Sequence, residues 1–281
     1  MRPAFDTIAN EYDKSFTDTA VGRSMRERVW ALLSQAVTGS HRVTTVLELN
    51  CGTGEDALWL ARQGWRVLAT DVSAEMVDVA RAKAAAQLSE SLPAEKHLQF
   101  QVCGFSAIGR FAGQQFDLVF SNFGGLNCAS PEELKSLSLD LQKLVAPGGV
   151  FVAVVMSRFC WQETLYFLLK GKPREAFRRR SRKPVEARLD EKTTVPTWYY
   201  SPKEIRRCFP DFQVKKVRSV GFWLPPSYLN PFFEKRPRLL GFLNFLEMNF
   251  APAWFAPASD HFLICLEKKC GQQPETSNQQ P

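Results

Sequence analysis

With 281 residues, 45% of them apolar and 23% charged, the chain has the composition of one large α/β domain, or of one domain with additions, and wholesale disorder is excluded. The formal net charge is +7. No stretch approaches the roughly 20 uninterrupted apolar residues that span a bilayer, and the N-terminus carries no apolar core of signal-peptide type, so a soluble, cytoplasmic protein is expected.

In chain order, residues 1–42 read as helical and amphipathic, with Phe5, Ile8, Ala9 and Tyr12 on one face and Met25, Val29, Trp30, Leu32 and Leu33 on a second segment. From Val43 short apolar runs alternate with helices: strand 43–49, helix 55–63, strand 66–70, helix 74–88, strand 98–102, strand 116–121, helix 131–144 and strand 149–155. Such alternation makes a mostly parallel sheet covered on both faces, here over 43–156. Residues 157–269 are expected to complete the same domain, with substrate-side additions at 157–200 and 223–258. A basic helical stretch to about Lys183 comes first, with nine basic residues from Arg158 to Lys183 against Glu163 and Glu175. Next are a β-rich run at 193–200, a helix capped by Ser201 with Pro202 at its first position, and strands at 212–222 and 261–267. The tail from Cys270 to Pro281 has nothing to bury and reads as unstructured. Seven cysteines, with no Cys-x-x-Cys pair and no histidine at zinc-ligand spacing, read as reduced thiols and offer no metal site.

The chemistry concentrates at residues 46–57, where Glu48, Asn50, Cys51, Gly52 and Gly54 place a glycine-bearing loop between a buried strand and a helix N-terminus. Ligands of open α/β sheets sit there, beyond the carboxyl ends of the strands. Asp71, at the end of the next strand, can accept hydrogen bonds from both hydroxyls of a ribose. The run Gly52-Thr53-Gly54-Glu55-Asp56-Ala57 also satisfies a dinucleotide fingerprint. Three carboxylates, Glu48, Glu55 and Asp56, would however repel a pyrophosphate placed over the helix N-terminus. They suit a nucleoside carrying ammonium and sulfonium charges, which S-adenosylmethionine does.

At these residues the chain resembles the class I S-adenosylmethionine-dependent methyltransferases, especially the small-molecule branch that includes quinone methyltransferases. The likeness rests on Phe5 to Asp13, Glu48 to Gly54, Asp71 to Met76, Phe116 to Phe123, and the turn from Leu144 to Phe151. It implies a Rossmann-like, seven-stranded sheet with its last strand antiparallel, and an N-terminal helical lid over the cofactor with Tyr12 near it. The implied cofactor contacts are the 48–54 loop to the methionine moiety, Asp71 to the ribose, Val72 beside the adenine and Met76 on the following helix. Ser121, Asn122 and Phe123 would face the transferable methyl. Two positions depart from the pattern. Asn50 replaces the first glycine, and asparagine tolerates the left-handed conformation better than most residues. The acidic residue after strand three is missing, which leaves Gly104, Phe105 and apolar packing to hold the adenine.

No catalytic residue can be named: His41, His97 and His261 sit at expected strand starts, and in-line displacement on an activated leaving group can proceed by orientation alone. The fourth strand ends without the Asn/Asp-Pro-Pro-Tyr/Phe signature of amine methylation, which favours an oxygen or carbon acceptor. The aromatic stretch 223–258 beside the basic one suggests a small lipophilic or aromatic acceptor under a lid; the same stretch could also lie on a membrane or pack against another subunit. The alternatives are an RNA methyltransferase, given Arg178-Arg179-Arg180, and a non-catalytic or dinucleotide-binding relative.

Overall fold

Seven strands form the central sheet in the order β3-β2-β1-β4-β5-β9-β8, and a separate two-stranded hairpin pairs β6 with β7. The computed structural model describes residues 3–37, 43–87 and 97–269. The strands are β1 (Thr45–Leu49), β2 (Arg66–Asp71), β3 (Leu98–Val102), β4 (Phe116–Ser121), β5 (Val145–Met156), β6 (Val185–Arg188), β7 (Thr194–Thr197), β8 (Phe212–Val220) and β9 (His261–Lys268). The first five run parallel, and β9 lies antiparallel between β5 and β8. This is the expected Rossmann-like sheet with its last strand reversed.

Both faces are buried, which explains near-continuous apolar strands such as 150–155. One face packs Val46, Leu118, Phe120 and Val152 against α1 (Ala20–Val37) and α2 (Glu55–Arg62). The other packs Leu47, Leu49, Val119 and Phe151 against α4 (Pro131–Leu144). Between α2 and α4, the helix α3 (Ala74–Gln87) lies against β2 and β3. Because β1 pairs with β2 on one side and β4 on the other, the loops leaving β1 and β4 diverge and open a crevice at the carboxyl edge.

Strand and helix positions in 43–156 match the sequence expectation within a few residues. Differences lie on either side. The N-terminal segment is a 3-10 turn (Ala4–Thr7) and a π-helical turn (Asp13–Thr17) before α1, rather than continuous helix. The basic stretch is broken into α5 (Trp161–Leu169), the single turn α6 (Pro173–Ala176) and a 3-10 turn at Arg178–Arg180. Gly171, at φ +67°, and Pro173, which has no N–H to donate, end α5. Ser201 caps α7 (Pro202–Cys208) in a reciprocal capping box with Glu204. The aromatic stretch forms α8 (Asn230–Glu234) and α9 (Pro237–Phe250), which pack against α1. His41, the end of the expected helix at Leu88, and the tail from Cys270 lie outside the described residues.

Candidate functional site

The loop after β1 turns through three left-handed residues, Asn50 (φ 49°), Gly52 (φ 53°) and Gly54 (φ 81°). Asn50 thus adopts the conformation its substitution for glycine requires, and its side chain does more than tolerate it. Its Nδ2 donates to the Asn122 carbonyl (2.8 Å) and its Oδ1 accepts the Ser121 hydroxyl (2.6 Å), which ties the β1 loop to the end of β4. A side chain at Gly125 would collide with Asn50, so the glycine there is the counterpart of the asparagine.

Asp71 closes β2 and accepts the Gly52 and Ser73 N–H groups on separate oxygens, each at 2.9 Å. Burial pushes its carboxyl up, and those N–H donors pull it back. Each oxygen keeps a lone pair for a further donor. Beyond it opens a cavity of about 460 Å3, within the roughly 300–1,000 Å3 range of small-molecule sites.

Of the residues singled out from sequence, Tyr12, Asn50, Cys51, Gly52, Asp71, Val72, Met76, Gly104, Phe105, Asn122 and Phe123 line this cavity. Glu48, Gly54 and Ser121 do not. Glu48 is buried beneath the loop with Oε2 unpartnered, and burial followed by repulsion from Asp56 pushes its carboxyl well above the usual range. Gly54 lets α3 come close, since a Cβ there would sit 2.8 Å from that of Ala80. Ser121 is taken up by Asn50.

Sequence reasoning missed Arg26. It reaches the cavity wall from α1, pairs with Asp56, and lies 5.1 Å over the Phe123 ring, with Nε buried and unpartnered. Asp56 also accepts Trp30 Nε1 (2.7 Å) and Asn122 Nδ2 (2.9 Å). The available signal was helical spacing: Arg26 shares a face with Gly22, Val29 and Leu33, and a charge on a buried face demands a partner. Tyr12 stands in the same cluster, and burial raises its hydroxyl to about 12.

These pairings revise the electrostatic picture. Glu55 lies 3.3 Å from Lys83, Asp56 is neutralised by Arg26, and Glu48 sits behind the loop, so the crevice is not a ring of free carboxylates. What disfavours a pyrophosphate is occupancy of the loop itself. The Gly52 N–H belongs to Asp71, and the Thr53 hydroxyl donates to Asp13 (2.6 Å), which Lys83 also holds at 2.6 Å. The N-terminal segment is thus tied to the loop through Asp13.

The far wall comes from the addition at 157–200, one of the two expected on the substrate side. Ala187 and Leu189 project from one arm of the β6–β7 hairpin and Val195 and Thr197 from the other, opposite Gly124, Cys128 and Met156. Thr7 donates to Asp190 at the hairpin tip (2.9 Å) and so joins the N-terminal segment to the hairpin. None of residues 223–258 lines the cavity. The expected lid position of the aromatic stretch is therefore corrected: α8 and α9 pack against α1, and the hairpin takes the place beside the cavity. His261 also stands off the wall, its ring edge-on to Phe123 at 5.6 Å.

Residues 46–149 match the methyltransferase-domain family. Over 226 residues, or 78% of this chain and 75% of the relative, the sequence is 26% identical to a malonyl-[acyl-carrier protein] O-methyltransferase from Hamiltonella defensa. It is 28% identical to a ubiquinone/menaquinone biosynthesis C-methyltransferase from Acidiphilium cryptum, over 56% of this chain and 59% of that one. Identity is also 28% to a tRNA 5-carboxymethoxyuridine methyltransferase from Escherichia coli K12, over 52% of this chain and 53% of the relative. The chain thus matches only a little over half the length of these last two relatives. Its fold is similar to that of an S-adenosylmethionine-dependent methyltransferase from Clostridium acetobutylicum, at a TM-score of 0.58 and 12% identity, covering 95% of this chain and all of the other. Residues 46–149 thus form a methyltransferase domain, and its cofactor is S-adenosylmethionine. The acceptors of these relatives differ, so the domain alone does not name one for this chain.

Proposed function

We propose that this enzyme methylates an oxygen or carbon of a small, lipophilic or aromatic acceptor, held between the cofactor and the β6–β7 hairpin. The observation that carries this reading is the polarity gradient along the cavity. Val72, Met76 and Phe105 offer apolar surface for a flat base near Gly104. Asp71 offers acceptor oxygens for two hydroxyls. The Arg26–Asp56 pair matches an amino-acid end, guanidinium to carboxylate and carboxylate to ammonium. Beyond Asn122 and Phe123 the wall turns mostly apolar, with Gly124, Cys128, Met156, Ala187, Leu189 and Val195, while Thr197 spends its hydroxyl on the Val195 carbonyl and Glu133 and Ser136 are polar members of the lining.

When bound, S-adenosylmethionine supplies an activated methyl group on a sulfonium. The chain's own residues then contribute orientation and exclusion of water, and orientation alone is worth roughly 7–11 kcal/mol in well-aligned reactions. Phe123 at φ 40°, an unusual conformation for a bulky residue, is held by Arg26, Phe16 and His261 around its ring, so the wall next to the reacting centre is rigid. The residue division expected from sequence (lid 1–42, core 43–156, additions 157–269) is retained in this proposal, with the hairpin as the acceptor-side addition.

The RNA reading finds less support. Within the basic stretch Arg179 is buried between Glu163 and Asp260, Arg178 pairs with Glu163, and Arg158 forks onto Glu204, so three of its nine cations are held by carboxylates of the protein itself. Calorimetry tests the proposal. S-adenosylhomocysteine should bind and NADH should not, and Asp71→Asn should weaken the former about a hundredfold, the loss of two hydrogen bonds to a charged acceptor. Undiminished binding by Asp71→Asn, or salt-sensitive retention of tRNA with turnover on it, refutes the reading.

A further inference from the structure

Helix α9 is apolar on both sides. Leu240, Leu243 and Glu247, at helical spacing, face inward, and Glu247 fixes the helix by accepting the backbone N–H groups of Gly221, Phe222 and Trp223 at 2.7–3.0 Å, with Arg28 3.8 Å away. The opposite side presents Phe242 and Phe245, 57% and 55% exposed, and the helix ends at Phe250, 58% exposed. A helix that already rests on a core gains nothing from a second aromatic face unless something covers it.

That face does not stop at α9. Trp223 Nε1 donates to the Phe250 carbonyl (3.1 Å), and rings then follow in contact: Trp223 with Phe222, Phe222 with both Phe255 and Trp161 of α5, and Phe255 with Trp254. Trp254 is 76% exposed and Leu169, at the end of α5, is 80% exposed. Tyr228 closes the gap from the other side, 5.7 Å from Tyr166 of α5. Exposed apolar side chains thus recur on α5, the 227–229 turn, α8, α9 and the 253–258 turn, and a ring stack through the buried Phe222 underpins them. Around them stand exposed cations: Lys170, Lys172 and Arg174 follow α5, and Lys235, Arg236 and Arg238 precede or open α9. Arg236 lies 3.8 Å over the Phe232 ring, so charge and aromatic surface are interleaved.

We propose that this face lies on an anionic membrane surface, with the aromatic side chains in the headgroup boundary and the lysines and arginines on lipid phosphates and carboxylates. Aromatic residues on one side of a helix, rimmed by basic side chains, are the composition of interfacial anchoring, and anionic headgroups supply the complementary charge. A second copy of the chain is a poorer occupant, because a two-fold interface sets the same patch against itself and brings cationic rim toward cationic rim. Among the described residues no helix is long and apolar enough to cross a membrane, so the contact is peripheral. The inference goes beyond the acceptor reading and does not rest on it, since none of these residues lines the cavity.

The test is co-sedimentation of the full chain with vesicles of phosphatidylcholine alone and of phosphatidylcholine mixed with phosphatidylserine, while S-adenosylhomocysteine affinity is followed separately. The chain should pellet with the mixed vesicles and be released by salt. Trp254→Ser alone should lower partitioning severalfold, and the triple variant Phe242→Ser, Phe245→Ser, Trp254→Ser at least tenfold. Each of Lys170→Gln, Lys172→Gln and Lys235→Gln should lower it about fivefold. Cofactor-product affinity and melting temperature should stay at the wild-type values in all of them. The inference is overturned by absence of partitioning, by equal partitioning to both vesicle types, by indifference to Trp254→Ser, or by a dimer in sedimentation equilibrium that the triple variant dissolves. Loss of product affinity in the wild type would sink the cofactor reading and leave the vesicle result standing.

Discussion

The crevice beyond β1 and β4 and the additions that follow β5 use buried charge in opposite ways. In the crevice, polar groups converge on empty space: Asp71, Asn50 and the Arg26–Asp56 pair each satisfy part of their bonding inside the protein and keep a side turned to the cavity. In the additions, buried charge is spent wholly on internal contacts. Arg179 is saturated by Glu163 and Asp260, and Glu247 by three backbone N–H groups. A buried ion is a ligand group in one region and a peg in the other. The distinction is whether its partners exhaust it.

The sharpest way to break that contrast is at Arg26. Arg26→Met strips Asp56 of its cation and removes the proposed carboxylate partner, so stability should fall by about 3–5 kcal/mol, the usual cost of breaking a buried pair. Affinity for S-adenosylhomocysteine should fall with it, measured well below the melting temperature. A variant that loses stability but keeps full affinity would move Arg26 to the side of the pegs.

Asp260 offers the converse. Burial alone would raise its carboxyl, but His261 and Arg179 outweigh burial and hold it below the usual carboxylate range. Its folded value is depressed, so the stability it contributes is present at neutral pH and is lost as pH falls from the ordinary aspartate range through the folded value. Asp260→Asn should cost on the order of 3 kcal/mol at neutral pH, since it unpairs one side of Arg179. It should also flatten the acid limb of the denaturation profile and leave product affinity intact at moderate temperature. An acid limb as steep as that of the wild type would show that Asp260 is not a peg of this kind.

The smallest effect sharpens the boundary between the regions. Ala187→Phe on the inner side of the hairpin should raise KM for a lipophilic acceptor about tenfold, the result of about 1.4 kcal/mol of lost fit. It should leave product affinity and melting temperature unchanged. A change in cofactor affinity instead would place the hairpin over the cofactor and not over the acceptor.

Legibility followed the same division. The central strands of 43–156 could be read because β1, β4 and β5 bury both faces and are punctuated by glycine or a capped helix; Ser130 with Glu133 and Pro131 announces α4 to the residue. Asp71 was found because its role depends on a strand end seventeen residues past a glycine loop, a distance measured along the chain. Arg26 and the pairing of β6 with β7 within the substrate-side addition were not found. Arg26 meets Asp56 thirty residues away across the sheet edge, and β6 is four residues of unremarkable composition whose burial depends on what it covers. The carboxylates at 48, 55 and 56 led to the right cofactor class through charges that the structure shows to be paired or hidden.

From the order of residues alone came the sheet, the loop that turns at Asn50, Gly52 and Gly54, and the carboxylate that follows it, because backbone conformation, capping and strand burial are decided within a few neighbours. Tertiary structure decided which charges are free, which wall faces the acceptor and which apolar face is left open. Those outcomes depend on pairs brought together from distant parts of the chain, and hydropathy says that an aromatic helix must be covered without saying by what.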